Sequence, residues 1–216
     1  MNILKPQKIL IEKLNKIEDL LKEIKNNEEI KNINIENYKK ENIELRKISI
    51  EKAIINNTDI ISSNLEKNTF IDIDFKNCNF SNSLFENCSF IRCKFDNCKM
   101  TGCNFIESRL YNVIFKETNI NYANLSMSSI ENVMFDNTSL RNSSFQENKF
   151  KNILFKETDL TQVQIFKTSL KGIDLSDCTI DGIAVSIEDI KGATINPFQA
   201  IDLLYLIGVK VKWLVI

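Results

Sequence analysis

The chain has 216 residues and a formal net charge of −1, so it shows none of the basic excess that marks nucleic-acid binding. It contains no histidine, the commonest general base and metal ligand, and no apolar run of about eighteen residues that could span a membrane. The charged N-terminus lacks the apolar core of a signal peptide, so we expect a cytoplasmic protein whose six cysteines remain thiols. The abundance of Asn, Ile and Lys is typical of a genome composition bias and indicates no function.

The first predicted element is an amphipathic helix or cap within residues 1–28. Its apolar residues step by four and three, and its apolar seam is too short for a coiled coil. It could be a lid over the first coil of the repeat that follows, or a helix for a partner or a second chain. The apolar residues are Leu10, Leu14, Ile17, Leu21 and Ile24.

Residues 29–44 form a poorly patterned transition. Ile30 and Ile35 share the phase of the later repeat, but Lys40 breaks it. An imperfect first coil is therefore the alternative to an irregular segment.

From residue 43 to 195 the sequence repeats with a period of five. Every fifth residue from Leu45 to Ile195 is apolar, at 31 positions without an exception, although only 43% of the chain is apolar. The position two residues earlier is mostly small or β-branched and holds all six cysteines. Two inward residues separated by one outward residue are typical of a strand, and a period of five requires a corner after each short strand.

Four such corners close a square coil of twenty residues. The stretches NVIFKET at 112–118, NVMFDNT at 132–138 and NILFKET at 152–158 then lie on the same side of three successive coils. We therefore predict an all-β solenoid with a coil spacing of roughly 4.8 Å. One interior aromatic stack should run through Phe75, Phe95, Phe115, Phe135 and Phe155.

This pattern, a small residue followed two positions later by Leu or Phe, resembles the pentapeptide-repeat family. The resemblance covers about residues 43–195 and implies a right-handed quadrilateral β-helix. The segment QAIDLLYLIGV at 199–209 resembles the C-terminal cap of the quinolone-resistance (Qnr-like) subfamily. Those bacterial proteins are rod-like dimers joined through the cap, and their acidic surface is similar to duplex DNA.

Residues 196–216 are predicted to cap the solenoid. Asn196-Pro197 is typical of a helix start, and a short helix should run to about Ile207, where Gly208 stops it. Residues 209–213 then alternate like a strand. The resemblance implies a homodimer interface here, and the alternative is a monomer with a covered last coil. The apolar residues assigned to the interface are Phe198, Leu203, Leu204, Ile207, Trp213 and Leu214.

No residue pattern predicts catalysis. The cysteines at 88, 93, 98 and 103 are spaced by five, so they fall on four successive sides of a coil, which is the wrong geometry for a zinc site. The sequence also has no Gly-rich phosphate loop and no nucleophile elbow. We therefore expect no enzyme activity, no metal and no cofactor.

Function is expected on the surface, where two features stand out. Between Gly172 and Ile190 there are five acidic residues and no basic one. Because Glu188 falls on an inward phase, we expect a local distortion that lets its carboxylate reach solvent. The acidic residues are Asp174, Asp177, Asp181, Glu188 and Asp189. The second feature is an outward apolar stripe one coil apart, formed by Ile114, Met134 and Leu154.

Two hypotheses follow. The resemblance implies a DNA-mimic rod that binds DNA gyrase or topoisomerase IV and protects the enzyme from inhibitors such as quinolones. The acidic residues beside the cap favour it, whereas weak acidity along the rod and the lack of projecting loops count against it. The alternative is a scaffold or adaptor for another protein partner, bound through the apolar stripe or the N-terminal helix. Direct nucleic-acid binding is not expected, because the aromatic residues are predicted to be interior.

Overall fold

The chain winds into a parallel β-solenoid of about eight turns. The computed structural model describes residues 5, 13–24 and 28–212. In that part of the chain, no helix is both long enough and apolar enough to cross a membrane. The strands are β1 Asn15–Ile17, β2 Glu29–Glu36, β3 Lys39–Glu41, β4 Ser49–Asn56, β5 Asp59–Ile61, β6 Thr69–Lys76, β7 Ser89–Ile91, β8 Lys94–Asp96, β9 Arg109–Lys116, β10 Ser129–Asp136, β11 Lys149–Lys156, β12 Gln164–Ile165 and β13 Ala184–Val185. The helices are α1 Leu20–Ile24, α2 Ile187–Ile190, α3 Pro197–Asp202 and a 3₁₀ helix at Leu203–Ile207.

Successive coils pair in a register of twenty residues, as the sequence predicts. Phe115 lies opposite Phe135, and Phe135 lies opposite Phe155, in the parallel ladder of β9, β10 and β11. The other sides of the coil carry isolated parallel bridges with the same spacing, such as Asn104 with Asn124. The fold prediction is confirmed.

Each corner is made by a residue in the left-handed region of backbone conformation. A positive φ recurs every five positions from Asn32 to Lys167 without a gap, and Asn is the commonest residue there. Asn tolerates this conformation better than most residues that carry a side chain. The abundance of Asn therefore has a structural cause, which corrects the interpretation that composition bias explains it.

The predicted apolar positions form the core. All of them are buried except Phe150, Ile190 and Ile195, which are partly buried. The aromatic stack is present, with ring centroids of Phe75, Phe95, Phe115, Phe135 and Phe155 separated by 4.6, 5.0, 5.1 and 5.2 Å in that order.

The small inward residues also hydrogen-bond the backbone. The hydroxyl of Ser108 donates to the carbonyl of Phe85 at 2.7 Å, and the thiol of Cys103 donates to the carbonyl of Phe80 at 2.9 Å. Ser128, Thr138 and other residues of this position make the same bond to a carbonyl 23 residues earlier. A donor that fits beside a large neighbour therefore satisfies a buried carbonyl, and this explains why Ser, Thr and Cys recur here.

The N-terminal segment differs from the predicted helix. Asn15–Ile17 is a strand whose Ile17 lies opposite Ile35, and helix is confined to Leu20–Ile24 within the described part. The spacing of Ile17 suits a helix, but parallel pairing with β2 satisfies its backbone and buries it. Leu10 lies outside the described residues. Leu20 is buried and packs with the first coil.

The transition segment at 29–44 belongs to the solenoid. β2 pairs with β4 in the twenty-residue register, so regular coils begin at Glu29 and not at residue 43. Lys40 is exposed, while Tyr38 is buried and its hydroxyl donates to Asp19. Residues 29–44 therefore form an imperfect first coil, which was the alternative to an irregular segment.

The C-terminal cap begins as predicted. The amide side chain of Asn196 accepts hydrogen bonds from the N–H groups of Phe198 and Gln199, and the side chain of Gln199 accepts one from the N–H of Asn196. Gly208 ends the following 3₁₀ helix with a φ of 76°. Residues 209–212 form no strand, because no described residue pairs with them. Residue 213 lies outside the described residues.

Candidate interaction surfaces

Many charges along the rod are paired between neighbouring coils. A residue and its neighbour twenty positions later occupy the same place on adjacent coils, so opposite charges at this spacing meet. The carboxylate of Glu131 lies 2.6 Å from Lys151 Nζ, and that of Glu147 lies 2.7 Å from Lys167 Nζ. The other pairs at this spacing are Lys31–Glu51, Lys39–Asp59, Arg46–Glu66, Asp72–Arg92 and Asp136–Lys156.

The acidic residues at the C-terminal end are not paired in this way. Asp174, Asp177, Asp181 and Glu188 are exposed, and no described residue forms an ion pair with any of them. The Ser176 N–H donates to Asp174 at 2.9 Å, and hydrogen bonding by Ser176 lowers the pKa of Asp174, which keeps this carboxylate charged. Asp174, Asp181 and Glu188 therefore carry negative charge without an ion-pair partner among the described residues, whereas Asp177 interacts electrostatically with Lys156.

Asp189 has a different role from its predicted one. Its carboxylate accepts hydrogen bonds from the N–H groups of Lys167 and Thr168 at 3.0 and 2.9 Å, and from the Ser186 hydroxyl at 2.6 Å. These bonds fix α2 on the preceding coil. The distortion expected at Glu188 is this one-turn helix, which places the Glu188 side chain in solvent.

The predicted apolar stripe is aligned but is less exposed than expected. Ile114, Met134 and Leu154 lie opposite one another on successive coils. Ile114 is only 4% exposed, and the other two are partly buried. In this parallel column Ile114 lies between Lys94 and Met134, so neighbouring long side chains cover it. Ile114 is therefore not a contact residue, whereas Met134 and Leu154 stay predictions.

The residues assigned to a dimer interface divide into two groups. Phe198 is 80% and Ile207 64% exposed, whereas Leu203 and Leu204 are partly buried. Trp213 and Leu214 lie outside the described residues. Large apolar side chains at the end of the rod therefore face solvent in the single chain.

Sequence reasoning missed further apolar exposure at the same end. Phe166, Ile187 and Tyr205 are exposed. Phe166 and Ile187 occupy outward positions of the repeat. Their hydrophobicity was the available signal, because outward positions elsewhere in these coils are mostly polar. Phe166 and Tyr205 border an open groove above β13.

The cysteines are buried thiols in the structure. Burial raises the pKa of Cys88, Cys93 and Cys103 to about 12, so these thiols are protonated at neutral pH. Within the described part of the chain, no three His, Cys, Asp or Glu side chains converge in a way that could hold a metal ion.

The coil geometry defines a class of protein, a solenoid built from five-residue repeats. Residues 88–165 match the family description of a pentapeptide repeat region, and residues 70–105 match pentapeptide repeats in eight copies. The repeat region of this chain, over residues 70–165, therefore matches pentapeptide-repeat families. No curated protein is similar enough to the sequence to match it.

A solved structure shares the fold at low sequence identity. The chain is similar to HetL, a pentapeptide-repeat protein involved in heterocyst differentiation regulation from the cyanobacterium Nostoc, with 14% identity and a TM-score of 0.61. That match covers 83% of this chain and 94% of HetL. QnrB1, a plasmid-mediated fluoroquinolone resistance protein, matches with 17% identity and a TM-score of 0.41, over 85% of this chain and all of QnrB1.

Proposed function

We propose that this protein is a non-enzymatic interaction protein that binds its partner through the C-terminal end of the rod. The observation that carries the proposal is the contrast in charge pairing. Along the coils, many acidic side chains meet basic ones at the twenty-residue spacing, but Asp174, Asp177 and Asp181 have no basic residue at this spacing. Unpaired charge at one end directs binding to an oppositely charged surface.

The partner that this surface fits is a protein with a basic groove. A groove that binds duplex DNA is basic, and it attracts the carboxylates at the C-terminal end of the rod as it attracts the phosphates of DNA. The family resemblance makes DNA gyrase or topoisomerase IV the candidate partner. The proposed consequence is protection of that enzyme from inhibitors such as quinolones.

Dimerisation through the cap is part of the proposal. It is supported by the exposure of Phe198 and Ile207, since large exposed apolar side chains at one end mark an interface. Two copies joined there would bring both acidic clusters to the centre of the assembly. Sedimentation velocity of the full chain tests this step. A Phe198→Lys change together with Ile207→Lys should shift a dimer to a monomer, and a wild-type chain that sediments as a monomer at all concentrations would contradict it.

A supercoiling assay tests the partner. Purified protein is titrated into DNA gyrase with and without ciprofloxacin, and then into topoisomerase IV. We expect protection or inhibition at micromolar protein. The triple variant Asp174→Lys, Asp177→Lys, Asp181→Lys should lose the effect, since its three unpaired carboxylates become cations.

The matched control reverses three acidic residues that are paired. The variant Glu51→Lys, Asp59→Lys, Glu66→Lys has the same change in net charge but lies at the other end of the rod. It should retain the effect on gyrase. An equal loss in both variants would mean that net charge and not the C-terminal cluster matters, and no effect of the wild-type protein on either enzyme would refute the topoisomerase partner.

The second candidate is an adaptor for a different protein. The exposed apolar groove beside Phe166 and Tyr205 favours it, because a purely electrostatic DNA mimic has no need for such a groove. Met134 and Leu154 are its other proposed contact residues. An inactive supercoiling assay, followed by loss of partner binding on substitution in the groove, would favour this function.

A further inference from the structure

An apolar groove of about 410 Å³ lies on the side of the rod at its C-terminal end. Its floor is β13 with the two residues before it, and its walls are two exposed aromatic side chains, one from the preceding coil and one from the cap. The lining residues are Phe166, Gly182, Ile183, Ala184, Val185 and Tyr205.

The groove exists because the outer layer of side chains stops one coil early. Ala184 occupies an outward column in which the preceding coils carry Ser144 and Gln164, so its small side chain leaves space. Gly182 forms the corner before it and adds no side chain. On the opposite side, the Tyr205 hydroxyl donates to the carbonyl of Ile183, which holds the ring in place as a wall.

Two acidic residues flank the floor strand in sequence, and we take them as the rim of the groove. Asp181 precedes the floor strand and Glu188 follows it, and both are exposed without an ion-pair partner among the described residues. Lys167 follows Phe166 in sequence, but its ammonium group lies 2.7 Å from the carboxylate of Glu147 and is therefore already paired. Apolar lining between unpaired carboxylates is complementary to an apolar side chain flanked by cations.

We propose that this groove binds one large apolar side chain of a partner protein, carried on a segment with Lys or Arg on both sides. Phe166 and Tyr205 supply the contact area, and Asp181 and Glu188 select the basic flanks. The inference rests on the proposed function only in placing partner binding at this end of the rod. It does not require that the partner be a topoisomerase.

Selection from a phage library of random 12-residue peptides on the immobilised full chain tests the specificity. We expect enrichment of peptides that carry Phe, Leu or Trp between basic residues. A selected peptide is then synthesised with fluorescein and its Kd is measured by anisotropy. Enrichment of acidic peptides, or of none, would overturn the proposal.

Two matched variants locate the binding site. Ala184→Gln places in the groove the side chain already present one coil earlier at Gln164, so it blocks the groove with little cost to the fold. We expect the peptide to bind at least about tenfold more weakly, the effect of excluding one apolar group. Ser144→Gln adds the same side chain in the same column two coils away and should leave Kd unchanged. Equal affinities of wild type and Ala184→Gln would overturn the proposal.

The rim has its own variant. Asp181→Asn together with Glu188→Gln should weaken binding about threefold to tenfold and flatten the dependence of Kd on salt, because screened charge pairs contribute modestly. If binding and salt dependence are unchanged, the acidic rim does not select the partner.

Two further outcomes separate this inference from its neighbours. If Ala184→Gln converts a sedimenting dimer to a monomer, the groove is occupied by a second copy and the inference is wrong. If the peptide binds as expected while gyrase and topoisomerase IV are unaffected, the inference about the groove is supported. Only the proposal that the partner is a topoisomerase is then refuted. An active gyrase assay with no peptide binding gives the opposite result.

Discussion

The middle coils and the C-terminal end are built from the same repeat but expose different chemistry. Between β6 and β11, phenylalanine rings stack through the interior, and the partly buried carboxylates of Glu131 and Asp136 each meet a lysine on the next coil. At the end, Asp174 and Asp181 have no such partner and Phe198 faces solvent. Interior periodicity therefore stabilises the rod, while the proposed binding surface lies where the next coil is missing.

Removing one ring from the aromatic stack should have the largest effect. Phe135 is fully buried, and its ring is 5.1 Å from Phe115 and 5.2 Å from Phe155. We expect Phe135→Ala to lower the free energy of unfolding by about 3–5 kcal/mol, because the cavity cannot collapse between two fixed coils. Urea denaturation followed by circular dichroism measures it.

Two controls sharpen this contrast. Phe135→Leu should cost much less, since Leu175 occupies the same column in a later coil. Phe198→Ala, at the exposed end, should change the unfolding free energy of the monomer by less than about 0.5 kcal/mol. If Phe198→Ala lowers the free energy of unfolding as much as Phe135→Ala does, the middle coils and the C-terminal end do not differ in packing.

The periodicity of the sequence predicted the solenoid because each inward position has a single structural meaning. The interpretation of the sequence was wrong where the spacing of a residue is compatible with two structures. The spacing of Ile17 fits a helix, yet its pairing with Ile35 makes it a strand. Lys40 interrupted the period, although the first coil simply turns this residue outward. The Asn residues at corners could have been recognised, since a five-residue period with sharp corners requires left-handed conformations.

The candidate surfaces were less predictable because exposure depends on neighbouring coils. Asp189 belongs to the acidic run in sequence, but its carboxylate accepts N–H bonds from the coil below, twenty-one and twenty-two residues earlier. Ile114 is outward in phase, and it is covered by residues of the adjacent coils. The groove beside Phe166 depends on Tyr205, whose position relative to the last coil no periodicity specifies.

Breaking the buried ion pair should have the next largest effect. Asp72 is 1% exposed, and its two carboxylate oxygens each accept a hydrogen bond from Arg92 at 2.7 Å. Arg92→Ala removes the guanidinium group that faces this buried carboxylate. We therefore expect the free energy of unfolding to fall by about 3 kcal/mol. Lys151→Ala, which breaks an exposed pair at the same spacing, should cost less than about 1 kcal/mol. Equal losses in urea denaturation would show that burial does not set the strength of these pairs.

A pair of cysteine variants compares two sides of the coil. Cys93 lies in a column with Ile73, Val113 and Val133, whereas Cys103 lies in one with Ser83 and Ser143. At pH 7 we expect Cys93→Ser to destabilise by about 1–2 kcal/mol, because its column is aliphatic and its thiol lies 3.4 Å from the carbonyl of Phe70, so that the shorter serine side chain reaches this acceptor poorly. Cys103→Ser should cost less than about 0.5 kcal/mol, because Ser83 and Ser143 each donate to a main-chain carbonyl, as Cys103 does. Thermal unfolding that ranks the two variants in the reverse order would contradict this assignment.

The smallest expected effect is the dependence of stability on alkaline pH. Burial raises the pKa of Cys103 from 9.0 to about 12, so above pH 9 the unfolded chain loses this proton while the folded chain keeps it. Deprotonation therefore favours unfolding, and the stability present below pH 9 is lost progressively as the pH rises toward 12. We compare the free energy of unfolding of Cys103→Ser with that of wild type at two pH values. Between pH 7 and pH 9.5 the difference should shift by roughly 1 kcal/mol in favour of the variant, which lacks this thiol. Cys178, in the coil of Asp174, would lose stability in the same way, because burial also raises the pKa of its thiol to about 12. An unchanged difference between the two proteins from pH 7 to 9.5 would mean that the Cys103 thiol ionises equally in the folded and unfolded chains.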